Sequence, residues 1–259
     1  MQEQISHFNG DQPFQELVLG VLGGMGPQAT ADFLAKLVQV TPAGSEQEHL
    51  RVLVDSNPKV PDRNRAIAGQ GTSPAPVLAA MAAGLERAGA GLLVMACNTA
   101  HAFEADVRSA VRIPFVSIVE EACDACLRET PAARVAGLLA APGCIAAGLY
   151  QSALAARGLR PLLLEPPEQV VFDRLLYQIK LGAPASDIRP EMRRLALTLT
   201  DRGADVLVAA CTEVPLVLGQ ADVERPLIDA THNLAVRCVR YARGLEPIPS
   251  PRFTQDKDN

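Results

Sequence analysis

An apolar run that ends abruptly at a cysteine occurs twice in this chain, and it constrains the fold more than any other feature. The first run, 92–96, ends at Cys97, and the second, 206–210 after Asp205, ends at Cys211; polar residues follow each cysteine at once. Runs of this length are too short to cross a membrane and are typical of buried parallel strands. Because ligands bind beyond the carboxyl ends of such strands, each run brings a thiol to the edge where a ligand is expected.

Other segments repeat with the same spacing. Residues 135–143 resemble 18–26, and 226–229 resemble 114–117, all at a nearly constant offset of roughly 115 residues. The shared order of a turn, a cysteine run and a proline run indicates an internal duplication. Strands and helices alternate in each half, which predicts an α/β protein of two pseudo-symmetric domains. Each domain is predicted to be a parallel sheet flanked by helices, and if the two halves face each other, the active site lies in the cleft between them.

The patterns also predict the boundaries of domains and elements. We expect a first domain at 16–117 plus 229–245, which carries Cys97, a second domain at 118–228, which carries Cys211, and flexible tails at 1–15 and 246–259. Within the first domain, strands are predicted at 17–22, 51–55 and 114–117, helices at 27–40, 73–89 and 100–111, and a long polar connection at 56–65.

Composition excludes several classes of function. The 259 residues are 48% hydrophobic, enough for a full core, and the net charge of −5 offers no basic face for nucleic acid. No apolar run is long enough to span a membrane. Six cysteines in a chain of this size do not form the framework of a small secreted protein. The sequence therefore predicts a cytoplasmic protein with free thiols.

Two thiols at equivalent strand ends would approach one cleft from opposite sides if the halves face each other. Each cysteine precedes a predicted helix, whose N-terminal amides would favour the thiolate. One thiolate could take a proton from a carbon atom while the opposite thiol returns a proton to the other face. This pattern indicates racemisation or epimerisation by two bases.

Other roles for these cysteines remain open on sequence grounds. Either one alone would be more typical of a small buried apolar residue. Cys97 and His101 are four residues apart and could hold a metal, but no Cys-x-x-Cys pair lies at this site, and such a histidine is usually a packing or capping residue. A cysteine hydrolase would need an opposed histidine and would leave Cys211 unexplained.

The remaining cysteines are predicted to be structural. Cys123 and Cys126 form a Cys-x-x-Cys pair, but within a helical stretch, so we interpret them as a helix face without redox activity. Cys144 and Cys238 are interpreted as core residues.

The glycine-rich turn has two interpretations. Gly24-x-Gly26-x-x-Ala29 after a strand approximates a dinucleotide-binding fingerprint, with Asp55 at the end of the next strand. Asp55 lies farther along the chain than that fingerprint requires, and Pro27 crowds the turn. A substrate carboxylate bound by the turn amides explains the same residues.

Several motifs together resemble the aspartate racemases of the cofactor-independent aspartate/glutamate racemase superfamily. The resemblance extends from about residue 17 to 239, nearly all of the predicted folded chain. It rests on the motifs GVLGGMGPQATADF (20–33), DSNPKVPDR (55–63), MACNTAHAF (95–103), KLG (180–182) and AACTEVPLVL (209–218).

The resemblance implies the roles of individual residues. It implies that Cys97 and Cys211 are the catalytic pair, that Arg63 binds one substrate carboxylate and that Lys180 lies near the other. It also implies a homodimer without metal or pyridoxal phosphate. The further substrate-binding residues that it implies are Met25, Gly26, Asn57, Asn98, Thr99 and Thr212.

The sequence thus predicts reversible racemisation of aspartate. A glutamate racemase, a broad-specificity amino-acid racemase, a maleate isomerase-like enzyme and a non-catalytic ligand-binding homologue are the alternatives. Exchange of the α-hydrogen with solvent separates them, because a racemase catalyses it and a binding protein or a maleate isomerase does not.

Overall fold

The computed structural model describes residues 16–249. The tails predicted for 1–15 and 246–259 lie outside these residues except for 246–249. Within that short segment Glu246 forms ion pairs with Arg237 and Arg240.

Two parallel sheets of four strands each organise the described residues. Their orders are β2-β1-β3-β4 and β6-β5-β7-β8. The strands are β1 Leu19–Gly23, β2 Val52–Ser56, β3 Leu92–Met95, β4 Phe115–Val116, β5 Val135–Ala140, β6 Arg160–Leu162, β7 Val206–Ala210 and β8 Leu227–Asp229. The two orders are the same when the strands of each half are numbered from its start, which supports the predicted duplication and confirms the predicted fold class.

Ten α-helices accompany these strands in the described residues. They are α1 Pro27–Val40, α2 Arg63–Ile67, α3 Ala75–Arg87, α4 Glu104–Ser109, α5 Ile118–Glu129, α6 Pro142–Ala146, α7 Leu149–Ala155, α8 Pro166–Lys180, α9 Ala185–Asp201 and α10 Ala230–Ala242. In these residues no helix has the length and apolarity that a membrane crossing needs.

Alternate residues of the central strands enter different parts of the core, because successive side chains of a strand point to opposite faces. Val21 of β1 and Val208 of β7 belong to one large cluster that also takes in α1, α5, α7 and α10. Leu22 packs with α3 on the other face of the first sheet, and Leu207 packs with α8 and α9 on the other face of the second. Each sheet is therefore covered on both faces, which explains its nearly continuous apolar runs.

Two predicted elements differ from the observed ones. The helix expected at 100–111 is a 3₁₀ segment, Thr99–Phe103, followed by the short helix α4. The polar connection expected at 56–65 contains the start of α2, because the Asp62 side chain accepts a hydrogen bond from the Arg65 amide and caps that helix. The helix α10 packs against both α1, in the predicted first domain, and α5, in the predicted second domain. The predicted domain boundaries therefore stay a prediction.

Candidate active site

Cys97 and Cys211 lie at equivalent positions of the two halves. Cys97 follows β3 and Cys211 follows β7, each the third strand of its sheet in order, and each thiol is 5% exposed. Both line one small cavity with a free volume of about 10 Å³, scarcely enough for one water molecule. The predicted meeting of the two cysteines at one site is therefore observed.

A larger cavity of about 230 Å³ shares part of its wall with the small one. Met25, Arg63, Lys180 and Glu213 line both cavities, so both signs of charge occur where the two adjoin. The larger cavity is also lined by Gly24, Gly26, Pro27, Gln28, Ala29, Pro58, Asp62, Ile179 and Leu216. The small cavity is also lined by Asn64, Cys97, Asn98, Thr99, Ala141, Cys211 and Thr212.

The thiol of Cys211 has a carboxylate partner. Its Sγ donates a hydrogen bond to Oε2 of Glu213 at 2.9 Å, and Thr212 Oγ1 donates to the same oxygen at 3.4 Å. Burial raises the pKa of Cys211 well above its usual value, and the negative charge of Glu213 raises it further, while Lys180 opposes this effect. Cys211 is therefore held as a thiol with an acceptor for its proton already in place.

Glu213 is itself incompletely satisfied. The residue is buried, and its Oε1 has no hydrogen-bond partner among the described residues. Lys180 Nζ lies 4.0 Å from this oxygen, too far for a hydrogen bond but close enough for electrostatic attraction. A buried carboxylate oxygen in this state is available to a ligand or a water molecule in the cavity.

The backbone of Cys97 is held by the ring of His101. The ring of His101 donates from Nδ1 to the carbonyl of Cys97 at 2.9 Å, and its Nε2 accepts from the amide of Ile118 at 3.2 Å. Burial lowers the pKa of His101, which keeps the ring neutral. Both ring nitrogens are engaged with the backbone, so His101 is a packing residue and has no free nitrogen to offer to a metal.

The expectation of helix N-termini behind both thiols was wrong. Cys97 is followed by the 3₁₀ segment Thr99–Phe103, and Cys211 by the 3₁₀ segment Val214–Leu216. Segments of three to five residues carry little of the dipole that a longer α-helix would direct at a thiolate. Burial and the Glu213 side chain raise the pKa of Cys211, and Lys180 and the backbone of Glu213 oppose them.

Arg63 lines both cavities, and three backbone carbonyls hold its guanidinium. Nη1 donates to the carbonyls of Val60 and Pro61 at 3.2 and 3.1 Å, and Nη2 donates to the carbonyl of Met25 at 3.4 Å. Nε is buried and has no partner among the described residues. Arg65, the neighbouring candidate, is exposed and donates to the carbonyl of Gln70. The geometry therefore favours Arg63 as the arginine of the site.

Lys180 is the last residue of α8, and the fold directs it into both cavities. Ile179 is buried beside it, and Gly182, with φ of +82°, follows where the helix ends. Burial acts to lower the pKa of Lys180, but Glu213 and the two thiols outweigh it and raise that pKa. The amine is therefore held as a cation between acidic neighbours.

The turn before α1 is only partly as predicted. Met25 and Gly26 line the larger cavity, as expected. The amide of Gly24 donates to Thr30 Oγ1 at 2.8 Å, so it is not free to hold a substrate carboxylate. The backbone of Asn57 lies so close to Gly24 that a Cβ there would be 2.4 Å from the amide nitrogen of Asn57.

Asn57 is the one predicted binding residue that lines neither cavity. Its Oδ1 accepts from the amide of Lys59 at 3.0 Å, and its Nδ2 faces the sulfur of Met81 at 3.8 Å. The side chain thus organises its own loop. Asn98, Thr99 and Thr212 do line the small cavity.

Three residues at the site were missed from the sequence. An acidic residue two positions after a buried cysteine was a visible signal for Glu213. Asn64 accepts from the amide of Gly143 at 3.0 Å, and Tyr150 donates to Asn98 Oδ1 at 2.6 Å. No local pattern marks Asn64 or Tyr150, because both act across the two halves.

This set of groups can hold an anionic ligand and move protons at it. Two cations and an asparagine amide offer donors, and two thiols offer proton transfer from separate parts of the chain. Neutral His101 and the structural thiols add no further charge to the cavity.

Comparisons with known proteins agree on one family. A profile described as Asp/Glu/hydantoin racemase matches residues 22–238. The chain is 26% identical over 223 residues to the broad specificity amino-acid racemase RacX of Bacillus subtilis (strain 168), covering 84% of this chain and 95% of that protein. It is 34% identical over 196 residues to the glutamate racemase of Roseiflexus sp. (strain RS-1), covering 71% of this chain and 65% of that protein.

A solved structure agrees on the fold. The aspartate racemase of Picrophilus torridus superposes with a TM-score of 0.78 at 24% identity, covering 87% of this chain and 94% of that one.

Proposed function

The chain belongs to the Asp/Glu/hydantoin racemase family, and we propose that it interconverts L- and D-aspartate without a cofactor. Cys97 and Cys211 are the two acid/base groups of this proposal. The observation that carries it is that both thiols, from equivalent strands of the two halves, line one small cavity. The Bacillus and Roseiflexus relatives are racemases, and racemases are isomerases.

The proposed reaction exchanges one proton at the α-carbon. A thiolate on one side takes the α-proton, the resulting carbanion is stabilised as an enolate, and the thiol on the other side gives its proton to the opposite face. The two cysteines exchange protonation states in one turnover, so the enzyme returns to its first state when the reverse reaction or solvent restores the proton. Glu213, which accepts from Cys211 at 2.9 Å, is the nearest group through which that proton can leave.

Aspartate suits the cations of the site. Negative charge grows on the α-carboxylate as the proton leaves, and donors placed beforehand favour that state. The guanidinium of Arg63 has an unpartnered Nε, and the raised pKa of Lys180 keeps its amine charged. Each cation can therefore bind one carboxylate of a dicarboxylic amino acid. The hydroxyls of Thr99 and Thr212 are available to hydrogen-bond the remaining polar atoms of the substrate.

A broader substrate range, including glutamate, is the second candidate. The larger cavity of about 230 Å³ exceeds what an aspartate side chain needs, and Asp62 and Glu213 stand in its wall with Arg63 and Lys180. A wall of mixed charge could hold a neutral or cationic side chain as well as an acidic one. The range of substrates accepted therefore decides between the two candidates.

Proton NMR in heavy water tests the proposal directly. Purified protein with reduced thiols is incubated with L-aspartate, then L-glutamate and a panel of neutral and basic amino acids, without added cofactor. Loss of the α-proton signal together with formation of the D-enantiomer supports the racemase and names its substrates. A folded protein that exchanges none of them would refute it in favour of a maleate isomerase-like enzyme or a ligand-binding homologue.

Substitution of the thiols tests the mechanism. We expect Cys97→Ala and Cys211→Ala each to abolish racemisation, with a loss on the order of 10³-fold or more, because each removes one of the two proton-transfer groups. Cys123→Ala is the matched control, since Cys123 is buried in α5 outside both cavities. Full racemisation in either active-site variant would exclude the two-base mechanism.

Oligomer and location belong to the same proposal. The homodimer implied by the resemblance is testable by light scattering of the purified protein. All six cysteines are free and buried, which supports a reducing cytoplasm as the location.

A further inference from the structure

Tyr150 reaches from the second half of the chain to the cysteine motif of the first. It lies in α7, is fully buried, and donates from its hydroxyl to Asn98 Oδ1 at 2.6 Å. Asn98 directly follows Cys97 and lines the small cavity. The tyrosine itself does not line that cavity, so any effect it has on a ligand must pass through Asn98.

The side-chain amide of Asn98 has one atom with a hydrogen-bond partner and one atom without a partner among the described residues. Its Oδ1 accepts from Tyr150, while its Nδ2 is buried without a partner among the described residues. Asn98 as a whole is 2% exposed. A buried amide nitrogen normally has an acceptor, and the small cavity between the thiols is where a ligand can supply one.

We infer that Tyr150 is a positioning residue that holds Asn98 Nδ2 towards the small cavity, where it donates a hydrogen bond to a substrate carboxylate. This inference rests on the proposed function for the identity of the carboxylate. It adds a residue that touches neither substrate nor thiol.

The chemistry of a phenol suits this task. An asparagine side chain can turn over and exchange its oxygen and nitrogen, which would present an acceptor instead of a donor to a carboxylate. A hydroxyl that donates to Oδ1 favours one of these two orientations. Burial, with nearby thiols, raises the pKa of Tyr150 well above its usual value, so the hydroxyl keeps its proton at every pH where the enzyme would work.

The fixed donor matters most when charge develops. As the α-proton leaves, the carboxylate next to the reacting carbon gains negative charge, and a donor that needs no rearrangement favours that state. If the Asn98 amide turned freely, it would have to be ordered again in each turnover. Loss of its fixed orientation should therefore reduce kcat more than it weakens binding of the ground-state substrate.

The test begins with Tyr150→Phe, which removes only the hydroxyl. We expect kcat/KM for aspartate to fall on the order of 10–100-fold, mainly through kcat. Tyr241→Phe is the matched control, because Tyr241 is also buried and also donates at 2.6 Å, to Glu121, but lies outside both cavities. Its kcat/KM should equal that of the unaltered protein.

A double-mutant cycle separates positioning from a general structural effect. In the Asn98→Ala background, Tyr150→Phe should change kcat/KM by less than about twofold, because the group that Tyr150 positions is gone. An equal fall in both backgrounds would overturn the inference, as would an unchanged kcat/KM in Tyr150→Phe alone.

An NMR measurement keeps this inference distinguishable from the proposed function. Asparagine is labelled with ¹⁵N, and the side-chain signal of Asn98 is identified by its loss in Asn98→Ala. L-aspartate should shift that signal in the unaltered protein and shift it much less in Tyr150→Phe. If no amino acid is racemised, the proposed function fails, and this comparison alone decides: a shift that depends on Tyr150 supports the positioning role, and any other result overturns it.

A second variant covers the case in which Tyr150→Phe does not fold. Asn98→Asp retains an acceptor for Tyr150 and replaces the donor with an oxygen. The new negative charge should lower kcat/KM for L-aspartate by at least about tenfold, and an unchanged kcat/KM would contradict the inference.

Discussion

Glu213 is the residue that most changes the chemistry expected of the two thiols. The sequence indicates two equivalent cysteines, yet Cys211 alone donates to a carboxylate among the described residues. A carboxylate that accepts from a thiol stabilises its protonated form, so the two cysteines have different surroundings even though the fold is duplicated. The asymmetry arises from single side chains placed on a symmetric framework.

We expect Glu213→Gln to lower the pKa of Cys211, because the amide keeps the shape but removes the negative charge that raises that pKa. The pH midpoint for alkylation of Cys211 by iodoacetamide, followed by mass spectrometry of its peptide, should fall. Glu224→Gln, at an exposed site, is the matched control and should leave the midpoint in place. A midpoint that is unchanged or higher in Glu213→Gln would show that Glu213 does not govern this thiol.

At the scale of elements, the short helices α2 and α6 join the two halves over the site. Asn64 of α2 accepts from the amide of Gly143 in α6, and Arg63 precedes Asn64 in the same helix. The close approach requires glycine, since a Cβ at 143 would lie 2.5 Å from Asn64 Oδ1 and 2.9 Å from Thr99 Cγ2. The position of Arg63 therefore depends on a contact between elements far apart in sequence.

Gly143→Ala tests that contact. The added methyl should push α2 away from α6 and displace Arg63, so kcat/KM should fall at least about tenfold. Gly84→Ala in α3 is the matched control, because its Cβ would meet only the flexible end of Arg87 at 3.9 Å. That control should keep full activity and gain up to about 1 kcal/mol in stability. Activity and thermal unfolding of both variants are measured together, and full activity in Gly143→Ala would contradict the role of this contact.

At the scale of the whole molecule, burial of the thiols links stability to alkaline pH. Burial raises the pKa of Cys126 and of Cys144 from the usual 9.0 to about 12. A thiol whose pKa is higher in the folded chain contributes stability that is complete below pH 9 and is lost as the pH rises from 9 towards 12, because the unfolded chain ionises first. The folded protein should therefore weaken above pH 9 while remaining reduced.

Cys126→Ala isolates one such contribution. The loss of unfolding free energy caused by Cys126→Ala should be about 1.4 kcal/mol smaller at pH 10 than at pH 7. At pH 10 the unaltered protein is already destabilised, because Cys126 ionises in its unfolded chain, whereas alanine cannot ionise. Urea unfolding with reductant present at both pH values measures it. Val119→Ala, buried in the same helix α5, provides the comparison and should cost the same at both pH values. Equal pH dependence in the two variants would refute the link to this thiol.

The framework of the site followed from the sequence alone. A strand buried on both faces needs an apolar run, and the end of that run marks where the next side chain meets the ligand-binding edge, so the pattern itself points to Cys97 and Cys211. Two halves with the same order of runs predicted an internal duplication and two parallel sheets. The motifs around Arg63 and Lys180 identified both cations through the resemblance they carry.

Only the tertiary structure decided which polar groups meet. Side-chain direction and the packing of the two halves decide these contacts. They determine that Glu213 contacts Cys211, that Asn57 contacts its own loop and that Tyr150 reaches Asn98. The segment after Cys97 is 3₁₀ rather than the predicted α-helix, and there the ring of His101 contacts both the Cys97 carbonyl and the Ile118 amide, a meeting that the sequence does not indicate. Periodicity reports which face of an element is buried, whereas hydrogen bonds between residues distant in sequence arise only when packing brings them within about 3 Å of each other.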